Sequence, residues 1–304
     1  MSVLVATTDG YHIFTSKGQH LTSLEGHALT AFAPGARGNW LGVVDGHELW
    51  QHAPDGSWSP LARWDAAGLT WPLAVGDVVL VGTADARVLR LHDGELTPLA
   101  GFDDAPGRDE WHQVGSPLCV RSMTATADAG AILTNVHVGG IPRSTDGGAT
   151  WQPTIAVDDD VHQVLGHPTD PAIVVAAASV GLCRSTDGGL TWTASTAGLH
   201  ASYARAVAFV GDDLLVSVSD GPFTTRGALY RAPVAGGAGA TAEKVGGGLP
   251  EWLEGNVDTG CLAANEKQVA LADGRGNVWA SPTDRDEWTL VVAGMPGVRA
   301  VAVA

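Results

Sequence analysis

The chain has 304 residues, of which 45% are hydrophobic and only 16% are charged, so it is long enough to bury a large core. Its 33 acidic and 17 basic residues give a net charge of -16, which disfavours nucleic acid and anionic membrane surfaces as partners. Short apolar runs separated by many of the 40 glycines and 16 prolines, without an extended 3.6-residue period, predict an all-β protein. No stretch resembles a linker, so we expect a single domain over residues 1–304.

The N-terminal segment, residues 1–14, lacks the basic region followed by an apolar region that begins a signal peptide. No window approaches the ~18 apolar residues of a membrane-spanning helix. We therefore expect a cytoplasmic protein that does not associate with membranes. Cys119, Cys183 and Cys261 are far apart and lack the paired spacing of a zinc site, which predicts buried free thiols.

Seven units follow one another along the chain, each made of apolar strands separated by Gly, Asp or polar turns. Their spacing is about 40 residues, which is the length of a four-stranded propeller blade. In addition to the strands that flank two near-identical turns at 144–151 and 185–192, the predicted strands span residues 3–7, 11–15, 21–24, 29–33, 40–44, 47–51, 58–61, 69–74, 78–82, 87–91, 96–99, 120–125, 161–165, 204–210, 214–218, 228–231, 243–245, 259–263, 269–272, 277–280, 289–292 and 298–303. The sequence therefore predicts a seven-bladed β-propeller.

The two ends of the chain complement each other. The first unit has three strands without an inner partner, and the last inner strand, residues 298–303, has no blade of its own. We predict that they form one blade, because this closes the ring and removes exposed sheet edges.

Residues 144–151, STDGGATW, and 185–192, STDGGLTW, are almost identical. In each box, as we call these segments, the carboxylate can accept backbone N–H groups and the glycines permit positive φ. Each box therefore indicates a tight turn between the third and fourth strands of a blade, on the face away from a ligand. A structural role is expected for Ser144, Asp146, Gly148 and Trp151, and for Ser185, Asp187, Gly189 and Trp192.

The pattern Ser-x-Asp-x-Gly-x-Thr-Trp of both boxes resembles the Asp-box, or BNR repeat, of sialidase-like β-propellers. The wider chain resembles bacterial YVTN/BNR-like proteins labelled glycosyl hydrolase. The resemblance implies a fold that enzymes and binding proteins share. Sialidases also carry an Arg-Ile-Pro motif, whereas Ile141, Pro142 and Arg143 stand in another order, so we do not expect an active sialidase.

The ligand site is expected at the mouth, meaning the face where the inner strands begin and where the second and third strands of each blade are joined. Aligning the apolar cores of the inner strands gives one equivalent position to Arg121, His162, Arg205, Thr259 and Arg299. Guanidinium groups bind carboxylates in a bidentate way, which predicts a site for a small anionic or carbohydrate-like ligand. The alternative is that each arginine pairs with an acid such as Asp158, Asp258 or Glu254 and holds blades together.

The two longest mouth loops, residues 101–117 and 250–258, are rich in aromatic and charged residues. The predicted ligand-binding residues in them are Trp111, His112, Trp252 and Asn256. The candidate catalytic residues are Glu251, Glu254 and Asp258, because paired carboxylates can hydrolyse a glycosidic bond when their spacing allows it. The alternative is a pair of solvated loops whose tryptophans fill the channel.

Four histidines near the mouth, His112, His137, His162 and His200, allow a weaker alternative in which a divalent metal serves a propeller lyase. No local metal-ligand spacing supports it, so no cofactor is expected. Two classes of function stay open: a small-ligand site, catalytic or not, and an interaction scaffold that binds a protein partner.

Overall fold

The structure, a computed structural model, describes residues 2–115, 117–237 and 240–304. It is 48% strand and 4% helix, and its seven four-stranded antiparallel sheets are arranged as a seven-bladed β-propeller. The predicted fold class is confirmed. None of the helices in the described residues has the length and apolar character that a membrane span needs.

The strands alternate with short turns along the whole chain. In chain order they are β1 (Ser2–Thr7), β2 (Gly10–Thr15), β3 (His20–Ser23), β4 (Leu29–Pro34), β5 (Trp40–Val44), β6 (Glu48–His52), β7 (Trp58–Arg63), β8 (Leu69–Val75), β9 (Val78–Thr83), β10 (Val88–His92), β11 (Glu95–Pro98), β12 (Val120–Ala125), β13 (Ile132–Val136), β14 (Pro142–Ser144), β15 (Gln152–Pro153), β16 (Val161–Gly166), β17 (Val174–Ala178), β18 (Gly181–Ser185), β19 (Thr193–Ser195), β20 (Tyr203–Val210), β21 (Asp213–Ser219), β22 (Gly227–Pro233), β23 (Glu243–Lys244), β24 (Leu262–Ala264), β25 (Gln268–Ala272), β26 (Val278–Pro282), β27 (Thr289–Val292) and β28 (Val298–Val303). The helical segments are α1 (Ala100–Asp103) and the 3₁₀ turns Ala36–Gly38, Arg108–Glu110 and Val157–Asp159.

The chain forms two compact units, which leaves the single domain over residues 1–304 a prediction. The first unit comprises residues 1–28, 177–183 and 194–304, and the second comprises 29–176 and 184–193. The first contains the sheets β28-β1-β2-β3, β20-β21-β22-β23 and β24-β25-β26-β27, and the second contains β4-β5-β6-β7, β8-β9-β10-β11 and β12-β13-β14-β15. Strands β16 to β19 form the seventh sheet.

In the first unit, the last strand of the chain completes the first sheet, as predicted. Val3 pairs with Val303 and Leu4 with Ala302, and the backbone N–H of Ser2 donates to the carbonyl of Ala304 at 2.9 Å. The alternating apolar residues of β1 and β28 fill one core together with those of β21 and β25. Burying a side chain of this size contributes about 1.5–3 kcal/mol, so the terminal strand is held by packing as well as by its ladder.

The inner strands of neighbouring sheets lie side by side within each unit. In the second unit β8 contacts both β4 and β12, and in the first unit β24 contacts both β20 and β28. Because strands in an antiparallel sheet alternate in direction, the starts of the inner strands and the turns between second and third strands share one edge of each sheet, the mouth edge. The boxes, between third and fourth strands, lie at the other edge.

One predicted strand is shorter than expected. Residues 259–263 were predicted as an inner strand, but β24 begins only at Leu262. The N–H of Cys261 donates to the carbonyl of Asp258 at 2.8 Å, and Gly260 has a φ of 79°. Thr259 therefore lies in a turn before the strand, not in the ladder.

Candidate functional site

Three arginines occupy the same kind of β-bulge near the beginning of an inner strand. In β12, β20 and β28 the pairing with the second strand shifts by one residue, and the residues left out of the ladder are Arg121, Arg205 and Arg299. A bulge redirects the side chain of the extra residue and is over-represented beside functional sites. The arginines that were aligned on sequence therefore share one structural position at the mouth edge of their sheets.

Arg205 is held by two neighbours. Its Nε donates to Oδ1 of Asp258 at 2.6 Å, its Nη2 contacts the same oxygen, and its Nη1 donates to the hydroxyl of Tyr203 at 3.1 Å. The Arg205 side chain is 12% exposed and that of Asp258 is 52% exposed. Arg205 therefore pairs with an acid, as the alternative to a ligand site predicted, although the carboxylate of Asp258 faces solvent.

Arg299 lies two inner strands away from Arg205, and the turn before β24 connects them. The hydroxyl of Thr259 donates to the carbonyl of Arg205 at 3.5 Å, and the thiol of Cys261 contacts the carbonyl of Arg299 at 3.6 Å. Arg299 is exposed, and it forms no ion pair with any residue that the structure describes. Burial raises the pKa of the Cys261 thiol to about 12, and the charge of Asp258 adds to this effect. The positive charges of Arg299 and Arg205 oppose it by smaller amounts. This cysteine is therefore an inert, protonated thiol.

In the second unit, the bulged Arg121 belongs to a cluster around Asp160. Nε2 of the fully buried His162 lies 3.3 Å from one oxygen of Asp160, and Nε2 of His137 lies 3.6 Å from the other. Burial raises the pKa of Asp160, but the hydrogen bond from His162 and the charges of His162, His137 and Arg121 outweigh it and leave this pKa below its usual value. His162 and Arg121 thus already share an acidic partner. The single pocket predicted from Arg121, His162, Arg205 and Arg299 together stays a prediction.

The predicted aromatic residue of the first long loop is part of a core. Trp111 is only 8% exposed and packs against Phe102 of α1, with the guanidinium of Arg108 4.6 Å from its ring centroid. Its burial does not support the predicted contact with a ligand, because the ring has little free face. His112 is exposed and its Nδ1 lies 3.1 Å from the carbonyl of Glu110. Residue 116 of this loop lies outside the described residues.

The second long loop presents its aromatic residue differently. Trp252 is half-buried, and the cationic heads of Arg226 and Lys244 lie 4.2 and 3.6 Å from its ring centroid. The edge of His200 meets the same ring at a centroid distance of 4.9 Å. Asn256 donates to the carbonyls of residues 221 and 222 at 3.3 and 3.1 Å, so its side chain joins two loops and is not directed freely into the mouth.

Two of the three candidate catalytic carboxylates pair with arginines, and the third is exposed. Asp258 is bound by Arg205, and Glu254 lies 3.3 Å from the guanidinium of Arg275. Glu251 is exposed on the same loop. Hydrolysis of a glycosidic bond needs two carboxyl groups that face one substrate, whereas two of these three are engaged by arginines. The geometry therefore gives no support to a hydrolytic pair.

The four histidines of the metal alternative do not form a binding group. Among residues 2–115, 117–237 and 240–304, no three His, Cys, Asp or Glu side chains are grouped as metal ligands. His200 has another arrangement, with Nδ1 2.8 Å from the hydroxyl of Tyr230 and Nε2 3.6 Å from Asp220. A divalent metal thus stays a prediction that rests on composition.

Both boxes have the same hydrogen-bond pattern. Ser144 donates to Asp146 at 2.8 Å and accepts the N–H of Gly148 at 2.9 Å, and the Thr150 hydroxyl donates to Asp146 at 2.6 Å. In the second box the matching distances are 2.7, 2.8 and 2.6 Å. Trp151 is buried and donates to Gly148, and the half-buried Trp192 donates to Thr154. These contacts lie within each turn or reach the blade core, which supports a structural role.

A cavity of about 150 Å³ opens beside the first box, at the edge of the sheets opposite the bulges. It is lined by Arg90, Asp146 and the turn at residues 129–131, among others. Both oxygens of Asp146 already accept hydrogen bonds from Ser144 and Thr150. The Asp146 carboxylate in the wall of the cavity is therefore already used by the structural turn.

No protein-family model and no curated protein matches the sequence, but solved structures do match the fold. An ancestral GH74 enzyme superposes with a TM-score of 0.63 at 13% identity over 95% of this chain and 40% of its own. The GH74 enzyme of Niastella koreensis gives 0.61 at 14% identity over 94% and 46%. YCF48 bound to D1 peptide gives 0.58 at 15% identity over 95% and 84%. At these identities the similarity shows the fold alone, and the chain spans less than half the length of either GH74 enzyme.

Proposed function

We propose that this β-propeller is a binding protein for a small carboxylate-bearing ligand, such as an anionic sugar, and that Arg205 and Arg299 hold the ligand. The observation that carries the proposal is the pair of bulges that places these two arginines on inner strands on either side of β24. A bulge redirects its extra residue and a guanidinium group binds carboxylates in a bidentate way, so two bulged arginines at the mouth edge of one unit support a site for one anion.

The two arginines divide the work of recognition. Arg205 is oriented by Asp258 and Tyr203, which occupy three of its N–H groups. Since a guanidinium has five N–H donors, about two remain for a ligand, and little entropy is lost when they bind it. Arg299 is exposed and supplies a charge that no acidic side chain among the described residues pairs with. The group carries a local positive charge on a chain whose net charge is -16.

The state of the candidate catalytic carboxylates favours a binding protein over an enzyme. Two of the three candidate catalytic residues, Glu254 and Asp258, are paired with arginines. The similarity to GH74 enzymes supports a sugar-like ligand only through a shared fold. The repeated hydrogen bonds of the two boxes support assignment to the Asp-box, or BNR, group of propellers. A cytoplasmic location rests on the sequence alone.

A second candidate is a scaffold that binds a peptide of another protein. The observation that favours it is the shared fold of YCF48, whose structure contains D1 peptide and superposes over 95% of this chain.

Calorimetric titration with D-glucuronate and citrate, with glucose as the uncharged control, tests the first proposal. We expect saturable binding of the carboxylates, lost in Arg299→Ala at an unchanged melting temperature because Arg299 is exposed. Arg205→Lys should weaken binding, since an ammonium group keeps the charge but loses the planar fork. Arg285→Ala, an exposed arginine at the opposite edge of its sheet, is the matched control. Equal carboxylate binding by wild type and Arg299→Ala would reject the site.

A further inference from the structure

A different surface of the first unit combines a fully presented aromatic ring with two cations. We call it the basic-aromatic surface, and it consists of Phe223, Arg226, Lys244 and Trp252. Phe223 is 97% exposed, the highest value among the large hydrophobic residues described. Phe223 and Arg226 lie in the turn between β21 and β22, Lys244 ends β23, and Trp252 follows in the loop before β24. Exposed aromatic residues and arginines are enriched at protein interfaces, and Phe223 and Arg226 lie in one turn.

The two cations are held in place by the indole. The guanidinium carbon of Arg226 lies 4.2 Å and Nζ of Lys244 lies 3.6 Å from the Trp252 ring centroid. A cation over an indole is attracted by the negative face of the ring, which offsets part of the repulsion between the two like charges. Because these heads already cover the ring, Trp252 is a support for the cations and not a platform on which a sugar could stack.

The turn that carries Phe223 is anchored at several points. Asn256 donates to the carbonyls of Gly221 and Pro222 at 3.3 and 3.1 Å. Gly227 and Leu253 exchange two backbone hydrogen bonds, at 3.1 and 2.8 Å. The turn is therefore fastened to the following loop on both sides of Phe223. A ring that is presented on an anchored turn loses little conformational entropy when a partner covers it.

The charge of this surface is only partly compensated. Asp220 lies 3.9 Å from Nε of Arg226 and 3.6 Å from His200. Lys244 forms no ion pair within the described part of the chain. Of the two cations, only Arg226 has a carboxylate within ion-pair distance among the described residues, so Lys244 presents an unpaired positive charge on a strongly acidic protein. Complementary charge would guide an acidic partner to this point and would repel basic ones.

We propose that the basic-aromatic surface docks an acidic segment of a partner protein, with its carboxylates on Arg226 and Lys244 and a neighbouring apolar side chain on Phe223. A small anion would leave Phe223 unused, and Arg226, whose side chain is 54% exposed, lacks the enclosure that buries most of a small ligand. An anionic membrane is disfavoured because its extended surface would face the net charge of -16. A short peptide segment contacts only the positive surface.

Fluorescence anisotropy with a labelled, N-acetylated pentapeptide tests this proposal. The probe has a central leucine flanked on each side by two acidic residues; one analogue replaces the acids with their amides, and another replaces leucine with serine. We expect the wild-type protein to bind the probe more tightly than either analogue, and added salt to weaken binding. Phe223→Ser and Arg226→Gln/Lys244→Gln should each reduce affinity roughly fivefold or more.

Matched controls keep the result specific. Leu190→Ser removes another exposed apolar residue and Arg285→Gln another exposed cation, and both should bind the probe like wild type. Arg299→Ala should also bind it normally, while Phe223→Ser should bind glucuronate normally, so this proposal and the carboxylate-ligand proposal fail independently. Equal binding of the probe and its analogues, unchanged affinity in the two surface variants, or Phe223-dependent binding only to mixed phosphatidylcholine–phosphatidylserine vesicles would overturn the docking proposal.

Discussion

Arg205 contacts Asp258 through Nε, 2.6 Å from Oδ1, and through Nη2, and the acid is much more exposed than the arginine. The carboxylate of Asp258 is therefore already bound to the Arg205 guanidinium at the surface of the protein. A ligand carboxylate must bind beside it, so the same contact that orients Arg205 also competes with the proposed ligand.

The first prediction follows from this competition. Asp258→Asn removes the competing charge but keeps an oxygen that can accept from Arg205. We expect carboxylate ligands to bind about fivefold more tightly, or about 1 kcal/mol, with a small loss of melting temperature. Calorimetric titration measures the affinity, and Glu254→Gln, which disrupts the exposed pair with Arg275, is the control. Weaker binding in Asp258→Asn would mean that the acid itself contacts the ligand.

The second prediction concerns acid stability. Hydrogen bonds from Thr150 and Thr191 lower the pKa of Asp146 and Asp187 to about 2, below the value of about 3.9 in an unfolded chain. A carboxyl whose pKa is lowered on folding stabilises the fold above the unfolded pKa, and this stability is lost as the pH falls through the folded pKa. The variant Asp146→Asn/Asp187→Asn should melt below wild type at pH 7, and the difference should shrink between about pH 4 and pH 2.

Asp109→Asn, in an exposed loop, is the control for removing a carboxylate. Thermal melts across this pH range decide the matter. A constant difference at all pH values would show that the charges of the two boxes do not stabilise the fold.

The third prediction separates packing from backbone strain in the boxes. A Cβ on Gly189 would lie 2.3 Å from the Leu133 side chain at a φ of +85°, whereas one on Gly147 would meet nothing within 4 Å at a φ of +72°. Gly147→Ala should therefore cost only the strain of positive φ, about 1 kcal/mol. Gly189→Ala should cost about 1–3 kcal/mol more. Chemical denaturation measures both, and equal losses would contradict the packing of this turn on the neighbouring blade.

The fourth prediction concerns closure by the last strand. Deletion of residues 298–304 exposes the ladder edge of β1 and removes part of the core that includes Val301 and Val303. The truncated protein should be insoluble or should melt without cooperativity. A soluble truncation with a single sharp transition would contradict the closure.

The sequence predicted the blades well, because strand period and turn residues are local. The predicted bounds of Trp40–Val44, Val120–Ala125, Thr289–Val292 and Val298–Val303 are those of the structure. Closure of the first blade was also predictable, since one strand was missing at one end of the chain and one was left over at the other.

The site was predictable only in part. The shared register of Arg121, Arg205 and Arg299 could be read from apolar alignment, but their bulges could not. The residues that follow each arginine are buried on both faces of the sheet, so there is no polar–apolar alternation whose phase an extra residue would shift. Trp111 looked like a loop ring, and its burial depends on contacts with Phe102 and Arg108 that loop composition does not reveal. Sequence reasoning missed Asp160. This residue ends an acidic run and has a left-handed φ of 43°, a backbone conformation that Asp tolerates better than most residues.

The most direct test of the central claim is a titration of arginine-¹⁵N-labelled protein with D-glucuronate, followed through the arginine Nε–H resonances. Arg205→Lys and Arg299→Ala assign the two signals of interest. If the proposed site is correct, the signals of Arg205 and Arg299 shift together and saturate at one ligand concentration, while that of Arg285 stays in place. Saturable binding that shifts other arginines but not these two, or no saturable shift at all, would contradict it.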